Sequence, residues 1–419
     1  MSEEKKYHIQ GSVCKGFEAV QQAFVENFSK RNELGAACCI YHQGEKVVDL
    51  WGGVRNKVTR DPWEENTMVI VFSTTKGLAA MTLALAHSRG LLDYDEKVSR
   101  YWPEFSQTGK QNVAVRQLLS HQAGLCAIDE PLNREMLSDP EVVATVIAKQ
   151  KPAWGPGDRQ GYHAISIGFY ESELIRRVDP LHRRLGKFFQ DEIATPLGLD
   201  FYMGLPAEID NSQLATIEMF KFSEMPFHLM EVPIGYALAM MNFNSLTRRA
   251  FFKNPGMGIP FDPQRIYTRA IEFPAMGGIG TARSIAHAYS ATMTGEMGIT
   301  PDTLRALSAP AIAPRDGFHD LVLKIDWCLS LGFAKSGLSL KFGKSALSFG
   351  TPGLGGSFGF ADPDSQVGYA YITNKMGFLQ GKDARDLALR NAFYSCLEKL
   401  DFMKPNNQPI ENEKEKYHV

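Results

Sequence analysis

The chain has 419 residues, 44% of them hydrophobic and 22% charged, which allows a large buried interior and excludes a disordered, collagen-like or coiled-coil protein. Lys and Arg total 45 against 47 Asp and Glu, and the formal charge of -2 gives no broad electrostatic reason to expect nucleic acid or an anionic membrane as a partner. MSEEKKYHIQ at the start has no apolar core, and the longest nearly apolar run, 78–86, is far short of the roughly 20 residues a membrane span needs.

In chain order, a helical pattern covers 14–30, and GAACCIYHQGEKVVDLWGG (35–53) carries two β-rich runs around Gln43-Gly44, the pattern of a hairpin. Cys38 and Cys39 would point to opposite faces of a strand. With Cys14, Cys126, Cys328 and Cys396 scattered, the six thiols read as free in a reducing compartment, and the expected location is the cytoplasm. VIVFSTTKGLAAMTLALAHSRG (69–90) runs a strand into a helix over 74–89. A loop-rich connection (90–105) and a short helix stopped by Gly124 (115–125) follow. From about 130 to 310 the pattern is mostly helical, interrupted by Pro and Gly at 151–161, 251–263 and 273–282. From about 322, LKIDWCLSLGFAK, LSLKFG, SFGFADP and QVGYAYITN predict consecutive antiparallel strands, then a helix over 381–399 and a polar tail, 404–419, expected to be disordered. Strand signals at both ends predict an α+β fold: one antiparallel sheet built from both chain ends, flanked by helices, with a mostly helical lobe inserted at about 130–310. All of it belongs to a single domain, 1–403.

Three segments carry residues fit for chemistry. Ser-x-x-Lys occurs at Ser2/Lys5, Ser12/Lys15 and Ser73/Lys76; the third is set apart by its context, because the helix over 74–89 that follows would set both side chains on one face. A lysine there faces the positive end of the helix dipole at a cost of a few tenths to about 1 kcal/mol. The same field lowers its pKa toward use as a neutral amine base; the alternative is a plain Ser cap with a lysine curling to solvent. Tyr162 in GYHAIS (161–166) is either a proton shuttle or a loop-closing tyrosine. In SFGTPGLGGSFGFADP (348–363), Gly353, Gly355 and Gly356 let a backbone N–H approach a developing oxyanion, or simply make a tight hairpin. GGSFG (355–359) matches the Gly-x-Ser-x-Gly of a nucleophile elbow, but a turn and a strand follow Ser357, where an elbow needs a helix. His121 in LLSHQAGL reads as a stitch between elements more readily than as a base. No His-x-His, His-Glu-x-x-His, Cys-x-x-Cys, phosphate-loop or dinucleotide pattern is present, so the sequence names no metal and no cofactor.

The ordered set FSTTKG, GLLDYDEKVSRYWPEF, LLSHQAGL, WGPGDRQGYHA, GGIGTARSIAHAYS and GTPGLGGSFGFADP resembles the serine β-lactamase-like hydrolases, on the class C β-lactamase and family VIII carboxylesterase branch, over roughly 17–400. The resemblance implies Ser73 as acylated nucleophile, Lys76 as its base and Tyr162 as proton relay. It implies an oxyanion hole from the backbone N–H of Ser73 and of Leu354, with Gly353, Thr351 and His163 beside the substrate. Two positions depart from the pattern. The lactamase Lys-Thr/Ser-Gly is here Thr351-Pro352-Gly353, with no cation to hold a carboxylate, and Tyr-x-Asn is Tyr162-His163-Ala164, without the amide that grips a lactam side chain. Both losses weaken a β-lactamase or D-alanyl peptidase reading and leave ester cleavage intact. The expected activity is therefore a carboxylesterase acting on a small-molecule ester. An amidase or acyltransferase on the same site is an alternative, and a non-catalytic scaffold or self-assembling protein is an alternative of another class; oligomeric state stays open. The terminal Tyr-His-Val could also be offered to a peptide-binding groove.

Overall fold

The computed structural model describes residues 3–220, 233–253, 269, 271–378, 381–403 and 417–418. Strands β1 (Gln10–Val13), β2 (Gly35–His42) and β3 (Glu45–Gly53) come from the start of the chain. β2 and β3 form the hairpin read from the sequence, turning on Gln43 (φ 54°) and Gly44 (φ 82°). Two successive left-handed residues give a turn whose twist matches that of the strands it joins. Short strands β4 (Val69–Ile70), β5 (Phe201–Tyr202) and β6 (Ile279–Gly280) make a separate sheet in the order β4-β6-β5. The last set is β7 (Cys328–Ser330), β8 (Phe333–Lys335), β9 (Phe349–Pro352), β10 (Phe358–Asp362), β11 (Val367–Thr373) and β12 (Tyr417–His418). The main sheet is antiparallel, in the order β12-β1-β3-β2-β11-β10-β9-β8-β7, so both ends of the chain meet where β2 pairs with β11.

Helices cover both faces of this sheet. On one face Tyr369 of β11 donates its hydroxyl to Asp386 Oδ1 (2.8 Å) on the C-terminal helix Ala384–Met403, which packs on the helix Glu18–Lys30. On the other, Gly368 meets the helix Ala282–Thr294: a Cβ there would lie 2.5 Å from the Ala286 carbonyl oxygen and 2.6 Å from the Ser290 nitrogen. Neighbouring strand residues face opposite ways, so only a glycine lets this helix backbone come so close. Cys38 and Cys39 split in the same sense, Cys38 toward Asp386 and Cys39 toward Arg283, and all six cysteines are free.

The helix Thr75–Ser88 is the hub: every residue from Thr75 to Ala86 is buried. An Ala-, Leu- and Met-rich helix that is apolar all round belongs inside a protein, and this one lies between the sheet and the helices of the inserted region, among them Ser166–Val178 and Leu185–Phe189. Among the described residues no helix is long and apolar enough to cross a membrane.

Three local readings change. LSLKFG (338–343) forms no strand; Leu338 (φ 33°) and Gly343 (φ 66°) break the extended backbone and leave one isolated bridge, Gly337 to Leu340. The helix at 115–125 is Val115–Leu119 and ends before Gly124. In the tail, Tyr417 and His418 pair with Val13 and Ser12 as an edge strand, against the expectation of disorder; 404–416 and 419 lie outside the described residues, as does 254–263 of the expected interruption.

Candidate active site

Ser73 sits on a turn that the backbone does not adopt freely. β4 ends at Ile70, Phe72 takes φ 46°, and a 3-10 turn, Phe72–Thr74, leads into the Thr75–Ser88 helix. A bulky residue in the left-handed region costs on the order of 1–3 kcal/mol and persists only where its surroundings hold it. Thr75 does much of the holding: its Oγ1 donates to the Phe72 carbonyl (2.5 Å) and accepts from the Gly278 N–H (2.9 Å).

Lys76 is buried, 1% exposed, and its Nζ lies 3.3 Å from Ser73 Oγ. It donates to the carbonyl oxygens of Ala164 and Ala275, both at 2.7 Å. A neutral amine keeps two N–H bonds, one for each carbonyl it faces, which leaves its lone pair for the third neighbour, the Ser73 hydroxyl. Burial pushes the Lys76 pKa down to about 7, opposed by the nearby Glu171 carboxyl. The sequence argument placed the cause in the helix dipole; removal of the ammonium from water is the larger effect.

Tyr162 forms the adjoining wall, its ring centroid 4.8 Å from Lys76 Nζ and flanked by His121 (5.2 Å) and Trp327 (5.4 Å). Its backbone N–H donates to Asp320 Oδ1 (3.1 Å). The buried Asp320 carboxylate also accepts from the N–H groups of Val322 and Leu323 and from Trp327 Nε1, tying the 320–327 loop to Tyr162.

Ser73, Tyr162 and Leu354 line one pocket of about 270 Å³, whose walls are mainly apolar, among them Phe72, Ile165, Met276, Trp327 and Phe378. Thr351, Gly353 and His163 do not line it. Thr351 is buried with its Oγ1 against Gly77 of the central helix, and Gly353 passes so close to Val71 that an added Cβ would lie 2.4 Å from its carbonyl oxygen. His163 is stitched to backbone at both ring nitrogens, Nδ1 to the Gly161 carbonyl (2.8 Å) and Nε2 from the Leu125 N–H (2.8 Å), and burial holds its pKa down to about 3. His121 accepts the His163 N–H at Nδ1 (3.0 Å), with its pKa driven down by burial. Ser357 is buried, its Oγ accepts from the Thr373 N–H (3.4 Å), and it leads into β10, so the elbow geometry is absent.

Sequence reasoning missed three residues. Glu171 is wholly buried in the Ser166–Val178 helix behind Lys76, with neither carboxyl oxygen hydrogen-bonded, and burial raises its pKa to about 8. Its signal was there to find: an acid among Ile167, Tyr170, Leu174 and Ile175 on the apolar face of an amphipathic helix. Asp320 bonds mainly to backbone, which leaves no pattern in a sequence. Lys382, exposed, is the one charged side chain among the described residues lining the pocket, and it comes from a segment remote from the third motif.

A sequence profile of the beta-lactamase family matches residues 20–392. The protein named "Esterase/beta-lactamase LipL" of Mycobacterium tuberculosis is 30% identical over 372 residues, 87% of this chain and 83% of that one. The crystal structure of a family VIII carboxylesterase superimposes with a TM-score of 0.81 at 32% identity, covering 93% of this chain and 99% of the other. A penicillin-binding protein homologue from Caulobacter crescentus does so with a TM-score of 0.79 at 32% identity and the same coverage. A match this long, on a fold that carries a Ser-x-x-Lys pair at the mouth of its central helix, means that the chain belongs to the beta-lactamase family of serine hydrolases.

Proposed function

We propose that this chain hydrolyses small carboxylic esters with apolar acyl groups through an acyl-enzyme on Ser73. The observation that carries the reading is Lys76, a buried amine with a pKa of about 7, 3.3 Å from Ser73 Oγ and with its N–H bonds spoken for by two carbonyls. Lys76 takes the Ser73 proton as Oγ attacks the ester carbonyl, and the oxyanion forms against the backbone N–H groups of Ser73 and Leu354. The C–O bond to the leaving group breaks, and the proton passes from Lys76 through the Tyr162 hydroxyl to the departing alkoxide. Water, deprotonated by the same route, then releases the acid and frees Ser73.

An ester is favoured over a lactam because the third motif supplies no cation and the pocket walls are mainly apolar; a family VIII carboxylesterase and LipL are among the relatives. Lys382 supports a second, weaker activity on substrates that carry a carboxylate, β-lactams included, since it offers the pocket a cation from another direction. Six free thiols support a reducing compartment such as the cytoplasm. The test is turnover of p-nitrophenyl butyrate and of a chromogenic cephalosporin by the protein and its Ser73→Ala and Ser357→Ala variants. Ester turnover lost only with Ser73→Ala is expected; loss with Ser357→Ala alone, or cephalosporin turnover exceeding ester turnover, overturns the proposal.

A further inference from the structure

Beside the pocket lies an apolar surface that the proposed chemistry does not use. The helix Ile234–Met241 has the sequence IGYALAMM and buries none of its residues. Ile234, Leu238 and Met241 recur at i, i+4 and i+7, so they share one face, and Tyr236 lies on the opposite face. Phe243 and Phe252 extend the patch; these five side chains are 56% to 77% exposed and make up half of the large exposed apolar side chains among the described residues. Tyr236 and Phe251, in ring contact at 6.3 Å, turn inward with Pro233 and line the catalytic pocket. One short element therefore presents an apolar face outward and a pocket wall inward.

Its charge is as lopsided as its hydropathy. Residues 233–253 hold Arg248, Arg249 and Lys253 and no Asp or Glu. Asp129 pairs with both Arg249 (2.7 Å) and Lys253 (3.2 Å), and so offsets one charge of the three. The Arg248 guanidinium lies over the Phe243 ring at 4.0 Å and the Phe252 ring at 5.2 Å, within the patch itself. Lys324 adds a further cation, its side chain 3.5 Å from where a Gly235 Cβ would be. The whole-chain charge of -2 conceals this local excess of cations.

We infer that this face docks on the surface of an anionic phospholipid bilayer and opens the Ser73 pocket toward esters held in that surface. A helix of eight residues is about 12 Å long, too short to span and long enough to lie flat with its apolar face among acyl chains. Arg248 within the apolar face and Lys324 beside it match anionic headgroups. A second copy is disfavoured as occupant, because a two-fold contact through this patch would bring the same cations, Arg248 and Lys324, from both copies into one interface with no acid of residues 233–253 to offset them. What is delivered to the pocket rests on the ester reading; the docking does not.

The test is flotation of the full chain with vesicles of phosphatidylcholine, with and without phosphatidylglycerol, at low and raised salt, alongside light scattering of the protein alone. The expected result is flotation with the anionic vesicles, lost at raised salt, and weakened at least about tenfold by Leu238→Asp with Met241→Asp and by Arg248→Glu. Turnover of soluble p-nitrophenyl butyrate by these variants stays at the unaltered level, which shows them folded. Equal flotation with neutral and anionic vesicles, no flotation, unchanged flotation of the variants, or a dimer that the same substitutions dissolve overturns the inference. Flotation is read without turnover, so a protein that floats but cleaves no ester refutes the ester reading and leaves the docking surface standing.

Discussion

Replacing Glu171 by Gln is expected to move the acid limb of the kcat/KM profile to lower pH. Ser73 is activated only when Lys76 is neutral, and with Lys76 at about 7 roughly a tenth of the protein carries the neutral amine at pH 6 and roughly nine-tenths at pH 8. With its own pKa at about 8, Glu171 is ionised in only about a tenth of the protein at pH 7, and only that fraction favours the charged lysine, so an uncharged amide of the same shape lowers the Lys76 pKa slightly. The gain at pH 6 is therefore less than about twofold, and at pH 8 there is almost nothing left to gain. Stability follows the same pair. Glu171 titrates at about 8 in the fold and near its ordinary 4.5 in the unfolded chain, so the unfolded state releases its proton first and stability falls as pH rises from 4.5 to 8. That window is worth at most about 5 kcal/mol at 1.36 kcal/mol per pH unit, a figure that already includes the attraction of Lys76. Glu171→Gln should flatten the decline. The assays are pH–rate profiles with p-nitrophenyl butyrate at constant ionic strength and urea unfolding at pH 5, 6.5 and 8. A profile that moves to higher pH, or by a full unit or more to lower pH, refutes this reading of the pair.

Three further substitutions read the supports of the site. Asp320→Ala strands four donors, three of them buried, and is expected to cost about 3 kcal/mol or more in urea unfolding and to lower kcat through Tyr162; Asp320→Asn, which keeps an acceptor, should lose less, and equal losses would remove the hydrogen bonds as the cause. Gly368→Ala forces a Cβ to within 2.5 Å of the Ala286 carbonyl and is expected to cost about 3 kcal/mol; a loss below about 1 kcal/mol would mean that the Ala282–Thr294 helix shifts freely on the sheet. Lys382→Ala should reduce the preference for an ester bearing a carboxylate on its acyl chain over its neutral counterpart by up to about fivefold, the size of one exposed ion pair; an unchanged ratio would place Lys382 outside substrate recognition.

What the sequence disclosed is what short stretches of chain decide. Gln43-Gly44 makes its turn from two adjacent residues, and Ser73 and Lys76 meet because one helical turn brings them together. The antiparallel sheet joining both chain ends was legible because β2, β3, β10 and β11 announce themselves by composition, whereas the short edge strands β1 and β12 carry no such signal. LSLKFG misled because its apolar residues suit a strand while its neighbours fix left-handed backbone. Gly353, Thr351 and His163 lie near the site in sequence terms, yet close backbone approach and two backbone hydrogen bonds commit them elsewhere. Glu171, Asp320 and Lys382 reach the site from separate elements, and only the tertiary fold says which buried acid stands behind which lysine. The value of Lys76 as a base likewise depends on carbonyls 88 and 199 residues away along the chain.

The most direct test of the account is to trap the acyl-enzyme. The protein is mixed with p-nitrophenyl butyrate, quenched in acid within the first turnovers, digested and mapped by mass spectrometry. The account predicts a butyryl group on the peptide that carries Ser73, absent from the Ser73→Ala protein and present in the Ser357→Ala protein. A butyryl group on Ser357, or steady ester turnover with no acylated peptide at any time, would contradict it.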